Sequence, residues 1–263
     1  MTTRRPRAAI VGALAATFAA GLFALPLLGL VLRAPWREFG RQLLSPAVGD
    51  AMRLSLVSST FAVVVAFVLG LPLAAWLASG SSAVRSVVRI LVMLPIVLPP
   101  IVGGIALLLA FGRNGVVGSW LRDWFDVSLP FTTPAVCIAA AYMGVPFFVL
   151  CAEAGLRNFD RRFVQAAASL GAGPARRFFF VVVPMIAPSL TAGALLCWAR
   201  ALGEFCATQM FAGNLAGRTR TMPLACSVAM ENEPDLAVLL GLVLAAVSAG
   251  VLLLLRHRVL VRP

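Results

Sequence analysis

The sequence predicts an all-α, polytopic membrane protein with about six transmembrane helices, and three observations carry that prediction. First, 61% of the 263 residues are hydrophobic and only 12% are charged. Soluble domains run at roughly 45–50% and about 25%, and disordered chains are poorer still in apolar residues. Second, six stretches hold no Asp, Glu, Lys or Arg: Ala8–Leu32, Leu54–Val84, Ile90–Gly112, Val127–Ala152, Phe178–Ala199 and Leu236–Leu255. Each reaches the roughly 20 residues that a helix needs to cross about 30 Å of hydrocarbon. Third, no stretch shows the short alternation of polarity that marks an outer-membrane barrel strand. A helix satisfies its own backbone hydrogen bonds, so it is the element that lipid admits.

Within these stretches the spans are placed at 8–32, 54–78, 90–112, 132–152, 178–200 and 236–255, in one transmembrane domain over 1–263. The first follows Arg4, Arg5 and Arg7 and resembles a secretory signal in layout. It is longer than the usual ~7–15-residue signal core, and the run ends before Arg33 in Gly29-Leu-Val-Leu32, which offers no small-x-small site, so it reads as a retained helix. All 22 basic residues are arginines, against 10 acids, for a net charge of +12. Placing both termini in the cytoplasm puts most of these arginines inside: Arg4, Arg5 and Arg7, Arg85 and Arg89, Arg157, Arg161, Arg162, Arg176 and Arg177, and Arg256, Arg258 and Arg262. Cytoplasmic arginine excess is the usual orientation signal, and anionic lipid at that surface explains the clusters.

The segments between spans exclude several functions. The longest are Arg33–Arg53, Arg113–Asp126, Glu153–Arg177 and Arg200–Asp235. None holds the ~50 residues of a soluble catalytic domain. No Gly-rich loop ends in Gly-Lys-Ser/Thr, and there is no lysine to complete one. Any nucleotide-driven engine, with its ATP and Mg, belongs on another chain. His257 is the one histidine and lies between Arg256 and Arg258 at a helix end, an interfacial position. The 5 cysteines show no Cys-x-x-Cys spacing, and apolar surroundings make a thiol a small hydrophobe. No metal or cofactor site is expected here, and no basic soluble domain offers itself to nucleic acid.

Two connecting segments carry chemistry. In the first, Asp160 is a fair N-cap, and Phe163, Ala167 and Leu170 fall at i, i+4 and i+7 on one face of a short helix. Gly171 stops that helix, and Pro174 starts the next. The physics leaves two readings: an interfacial helix resting on lipid, or a knob that docks on a cytoplasmic partner. Gln165, Ala166, Ala167, Leu170, Gly171 and Ala172, with Phe178, Pro184 and Pro188 downstream, resemble the EAA loop of ABC-importer permeases. The resemblance implies a coupling loop at 157–178 that seats on an ATPase subunit. Gln165 stands where that family carries glutamate, so the charge is lost while the Ala-Ala-x-x-x-Gly surface is intact.

The second segment runs Gly203-Glu-Phe-Cys-Ala-Thr208 and continues to Thr219-Arg-Thr-Met-Pro-Leu224. Upstream, Leu94-Pro-Ile-Val-Leu-Pro-Pro100 leads into Gly103 and Gly104. In this order the blocks resemble the permease subunits of molybdate importers and, less closely, sulfate permeases. Cys206 occupies a position that is usually glycine there. Pro95, Pro99 and Pro100 with Gly103 and Gly104 predict irregular backbone. Such backbone is tolerated at membrane depth under protein or beside a water-filled cavity, and broken helices are typical of transport sites. A kinked packing helix is the alternative. Arg200 and Glu204 form an i, i+4 pair near a boundary, either a self-neutralised structural pair or a device by which Arg200 draws an oxyanion inward.

The resemblance implies a non-enzymatic permease in a bacterial inner membrane. It would pair with a second copy of itself, bind two cytoplasmic ATPase subunits, and receive molybdate from an extracytoplasmic binding protein. The translocation pathway or gate would draw on Pro95, Pro99, Pro100, Gly103, Gly104, Arg200, Gly203, Glu204 and Thr208. Sulfate or tungstate are the alternative cargoes. An autonomous secondary transporter or channel would need coupling acids inside its spans, and the six stretches hold none.

Overall fold

The computed structural model describes the backbone of residues 6–259 and the side chains of residues 11–253. Arg4, Arg5 and Arg262 lie outside the described residues, and so do the side chains of Arg7, Arg256, His257 and Arg258. Helix α1 (Pro6–Arg33) is followed by a short turn α2 (Phe39–Leu43). A long apolar rod follows, made of α3 (Pro46–Val65), a π-helical turn (Ala66–Gly70) and α4 (Leu71–Ala78). It starts eight residues before the predicted span and carries Asp50 and Arg53 in its first two turns. Pro46 at the first helical position sets that early start.

The predicted span 90–112 is not one helix. It divides into α5 (Ala83–Val97) and α6 (Pro100–Phe111). Leu98 (φ −66°, ψ 142°) and Pro99 (φ −53°, ψ 131°) are extended between them. Pro99 and Pro100 have no amide hydrogen to donate, and a proline pushes its predecessor out of the helical region. The irregularity stops there. Pro95 sits inside α5, and Gly103 and Gly104 lie inside regular α6. The expectation of irregular backbone across the whole block is corrected to two residues.

Beyond α7 (Val116–Phe125), α8 (Thr133–Asn158) passes through the middle of the molecule. It is the most enclosed long helix, with Ala135, Ala139, Phe148, Val149 and Ala152 fully buried. The short helix α9 (Arg162–Ser169) and α10 (Pro174–Arg177) lead through a second π-helical turn (Phe178–Val182) to α11 (Val183–Met185) and α12 (Ala187–Leu202). The predicted span 178–200 is therefore bent, by 73° between Pro174–Met185 and Ala187–Leu202. Pro184 and Pro188 flank the bend and remove the amides that would bridge it. The chain ends with α13 (Cys206–Ala212), α14 (Met222–Asn232) and α15 (Pro234–Val259). By length and hydropathy, five helical stretches suit a membrane crossing, and the bent pair makes a sixth.

Glycines set how close the helices come. A Cβ on Gly144 would lie 2.8 Å from the Cys197 carbonyl oxygen on α12, and one on Gly193 would lie 3.2 Å from the Phe148 backbone on α8. In lipid, such close backbone approach replaces the hydrophobic drive that water would supply. Gly144→Val is expected to cost about 1–3 kcal/mol by overpacking and to lower the thermal unfolding temperature of the detergent-solubilised protein. Gly250→Ala, where a Cβ meets nothing within 4 Å, is the matched control and should leave that temperature unchanged.

Candidate functional site

The sequence-predicted residues fall in two regions. The first is α9 and its exit. Asp160 Oδ1 accepts a hydrogen bond from the Arg162 amide (2.9 Å), which fixes the start of the helix. At the other end Gly171 takes φ +80°, and the Ala172 and Gly171 amides donate to the Ala167 and Ala168 carbonyls at 3.0 Å. This is a Schellman cap, and its left-handed position favours glycine. Gln165, Ala166, Leu170 and Gly171 are exposed, and Ala167 and Ala172 are half-buried.

The apolar face expected from Phe163, Ala167 and Leu170 does not turn inward. Phe163 and Leu170 are 57% and 87% exposed. The helix is held to the bundle by Val164, one residue on, with Phe159 and Phe178 beside it. Beside this contact lies a cavity of about 380 Å³, lined among others by Ala78, Leu156, Phe159, Val164 and Gln165.

The second region is where α6 crosses α13. A Cβ on Gly104 would lie 2.8 Å from the Ala207 Cα, so glycine is what lets these two backbones touch. A Cβ on Gly103 would lie 3.2–3.3 Å from the Tyr142 ring and the Met143 sulfur on α8. Thr208 is buried one residue beyond that contact. Glu204 is only 2% exposed, and its Oε1 accepts from the Ala207 amide at 2.7 Å. It thereby caps the start of α13, while its Oε2 pairs with the Arg200 guanidinium. Gly203 ends α12 in the open. Pro95 lies elsewhere, on an apolar cavity of about 460 Å³ formed with Leu73, Tyr142, Pro146 and residues of α3. Pro99 and Pro100 are exposed at the helix break. The structure thus joins Gly104, Glu204 and Arg200 through α13 and sets Pro95 on a different wall.

One ionic cluster does not follow from the sequence reading. Glu153 on α8 is 5% exposed. Its Oε1 accepts from Arg89 Nη2 at 2.7 Å and from Arg157 Nε at 2.9 Å. Both arginines also donate to the Leu77 carbonyl, at 3.3 and 3.2 Å. Ending the fourth span at the first charge hides this cluster. The Glu153–Arg157 spacing of i, i+4 is the signal the sequence offers, and it offers none for the α5 partner.

The family described as "Binding-protein-dependent transport system inner membrane component" matches residues 66–262. A "Molybdenum transport system permease protein" of Mycobacterium tuberculosis is 37% identical over 230 residues, covering 88% of this chain and 87% of its own length. The protein of the same description from Escherichia coli K12 is 35% identical over 176 residues, covering 67% and 77%. A "Sulfate transport system permease protein" of Escherichia coli K12 is 31% identical over 228 residues, covering 84% and 82%. In three dimensions the chain is similar to a bacterial ABC transporter that imports alginate, with a TM-score of 0.76 at 17% identity over 96% of each chain. That likeness concerns the fold. Taken together, the family match over most of the chain and relatives above 30% identity make this chain a member of the binding-protein-dependent transport system inner membrane components, a multi-pass permease rather than an enzyme.

Proposed function

We propose that this chain is the permease of an ATP-driven molybdate importer, acting as a homodimer with the anion pathway between the two copies. The observation that carries the cargo is the description shared by the mycobacterial and E. coli relatives, which leads that of the sulfate permease in identity. In this reading both termini and α9 face the cytoplasm, where two ATPase subunits bind. A binding protein delivers the anion from the opposite side. The exposed Phe163, Leu170 and Ala166 supply an apolar and small-residue surface for the ATPase groove, with Gln165, Ala167, Gly171 and Ala172 shaping it. Gln165 offers hydrogen bonds in place of a salt bridge. Pro99, Pro100, Gly103, Gly104, Gly203, Glu204 and Thr208 form one part of the pathway wall and gate, and Pro95 belongs to the separate wall beside α3 and α4. Arg200 supplies attraction for a dianion. The pathway holds its cargo weakly, which suits a permease that must release what it receives.

Sulfate is the second reading, favoured by the E. coli relative that spans 84% of this chain. Liposomes containing this chain, its ATPase and its binding protein, with labelled molybdate and sulfate in competition, decide between them. The expected result is uptake that needs all three components and ATP, with molybdate outcompeting sulfate. Uptake by this chain alone on an ion gradient would overturn the importer reading. Arg200→Ala is expected to lower the uptake rate in an assembled complex, and an unchanged rate removes Arg200 from the pathway.

Gly171 gives a sharper test of the α9 surface. Its φ of +80° costs an ordinary residue roughly 1–2 kcal/mol. Gly171→Val should weaken recovery of the ATPase with the permease, while Gly171→Asn, a residue that visits this region, should retain it. Equal recovery for the two variants would show that the cap does not shape the docking surface.

A further inference from the structure

We propose that Glu153 is a positioning residue that ties α5 to the ends of α4 and α8, so that displacement of α9 reaches the Leu98–Pro99 break. This rests on the reading of α9 as the ATPase contact. Mechanical continuity runs through named groups. Val164 of α9 and Phe159 before it pack on the hydrophobic cluster that contains Leu77, Leu156 and Val182. Glu153 lies on α8 one turn before Leu156. From α5 it receives Arg89, whose Nε and Nη2 reach Oε1 at 3.0 and 2.7 Å. Arg89 and Arg157 share the Leu77 carbonyl at the end of α4. Two cations on one carboxylate leave a positive excess. The carbonyl end of a helix, which carries partial negative charge, is a suitable place for it.

The attachment matters because α5 has little else. Among its residues Pro95 alone is fully buried. Val88, Val92 and Met93 touch the cluster from partly exposed positions, and outward-facing Val87, Ile90 and Leu91 are more than half exposed. Arg89 is a long-range polar tether on this helix, bonded across 64 residues of sequence to a carboxylate that is nearly enclosed. The chain then continues along α5 to Leu98, whose amide makes the last bond of that helix, to the Leu94 carbonyl at 2.9 Å, and into Pro99 and Pro100, which have no amide hydrogen to tie the two helices together. A push on α9 therefore moves α8 and α4, and through Glu153 it moves α5 as part of the same body. Without the carboxylate, α5 keeps its place in the sequence but not its grip on the moving part. In this role Glu153 touches no cargo; it acts through Arg89.

The test uses the complete complex in liposomes, with ATP hydrolysis and labelled molybdate uptake measured on the same preparation. Glu153→Gln keeps the shape and removes the charge. The expected result is assembly and binding-protein-stimulated hydrolysis near the wild-type rate, with about tenfold less uptake per ATP, within the range usual for coupling between sites. Arg89→Gln leaves the Glu153–Arg157 pair in place and should show the same loss, and Arg89→Lys should recover part of it. If Glu153→Gln does not assemble, Arg89→Gln alone decides by the same ratio. An unchanged ratio of uptake to hydrolysis in an assembled variant overturns the proposal while leaving the importer reading intact. A parallel fall of both activities, with the ratio preserved, also overturns it, because that marks a purely structural residue. A wild-type complex that takes up anion without ATP overturns the importer reading and this proposal together.

Discussion

Everything in this fold depends on how closely other backbones approach α8. Lipid chains are as apolar as leucine, so burying large side chains does not drive helices together as it does in water. Close fit takes the place of that drive. Ala135, Ala139, Ala140 and Ala152 of α8 are essentially unexposed, and Gly144 leaves room for the Cys197 carbonyl. A Cβ on Gly70, at the end of the π-helical turn, would lie 3.3–3.4 Å from the side chains of Phe148, Val149 and Val145. Gly193 of α12 meets α8 from the other side. Small residues on both partners let α3, α4 and α12 surround one central helix. The large apolar side chains are then free to face outward, as on α1, where Phe18, Phe23 and Leu32 are all more than 70% exposed.

The same enclosure fixes where polar groups are allowed. A buried carboxylate is costly unless charge and hydrogen bonds meet it together. Glu204 meets the Ala207 amide and Arg200, and Glu153 meets two arginines. Ser55 accepts from the Met222 amide at 2.8 Å and so satisfies the first turn of α14, 167 positions later in the chain. Ser58 and Ser59 turn back onto carbonyls of their own helix. Glu204, Ser58 and Ser59 thus act within their own stretch of chain, whereas Ser55 and Glu153 join helices that are far apart in sequence.

Much of this is legible in the sequence, and the rest is hidden for identifiable reasons. Charge-free runs locate the apolar helices because charge is what lipid excludes. Asp160, Gly171 and Pro174 mark the ends of α9 because each acts on its own backbone within a few residues. Counting charges also sets false limits: α5 begins at Ala83 and carries Arg85 and Arg89, and α8 runs past Glu153 and Arg157 to Asn158. Arg89 and Arg157 are acceptable within helices because the Glu153 carboxylate and the Leu77 carbonyl meet them both. Composition cannot report such a meeting. Reading the three prolines as one irregular block also merges Pro95, accommodated in α5, with Pro99, which ends regular structure. The doublet Pro99-Pro100 withdraws two consecutive donors, whereas Pro95 withdraws one.

The apolar core itself is divided, and its seams coincide with the breaks in the chain. One cluster gathers α4, the later half of α8 and α12, with Val88, Val92 and Met93 of α5 against it. A second gathers Leu107 of α6, the early half of α8, and Ala207, Phe211 and Ala212 of α13. The chain passes from the first cluster's α5 to the second cluster's α6 at Leu98–Pro99, and from α12 to α13 at Gly203–Phe205. Neither joint is helical, and one is braced by the Glu204 cap. By contrast α8 is a single unbroken helix through both clusters, and its Pro146 lies within the stretch that serves the first of them. The two clusters are therefore joined rigidly along α8 and along α3, which carries Leu54 of the second and Ala62 of the first, and loosely at both breaks. Pro99 and Pro100, which withdraw backbone donors, and Arg200 and Glu204, which carry charge, stand at the two loose joints. The contact of Gly104 with Ala207 connects them on the side of the second cluster.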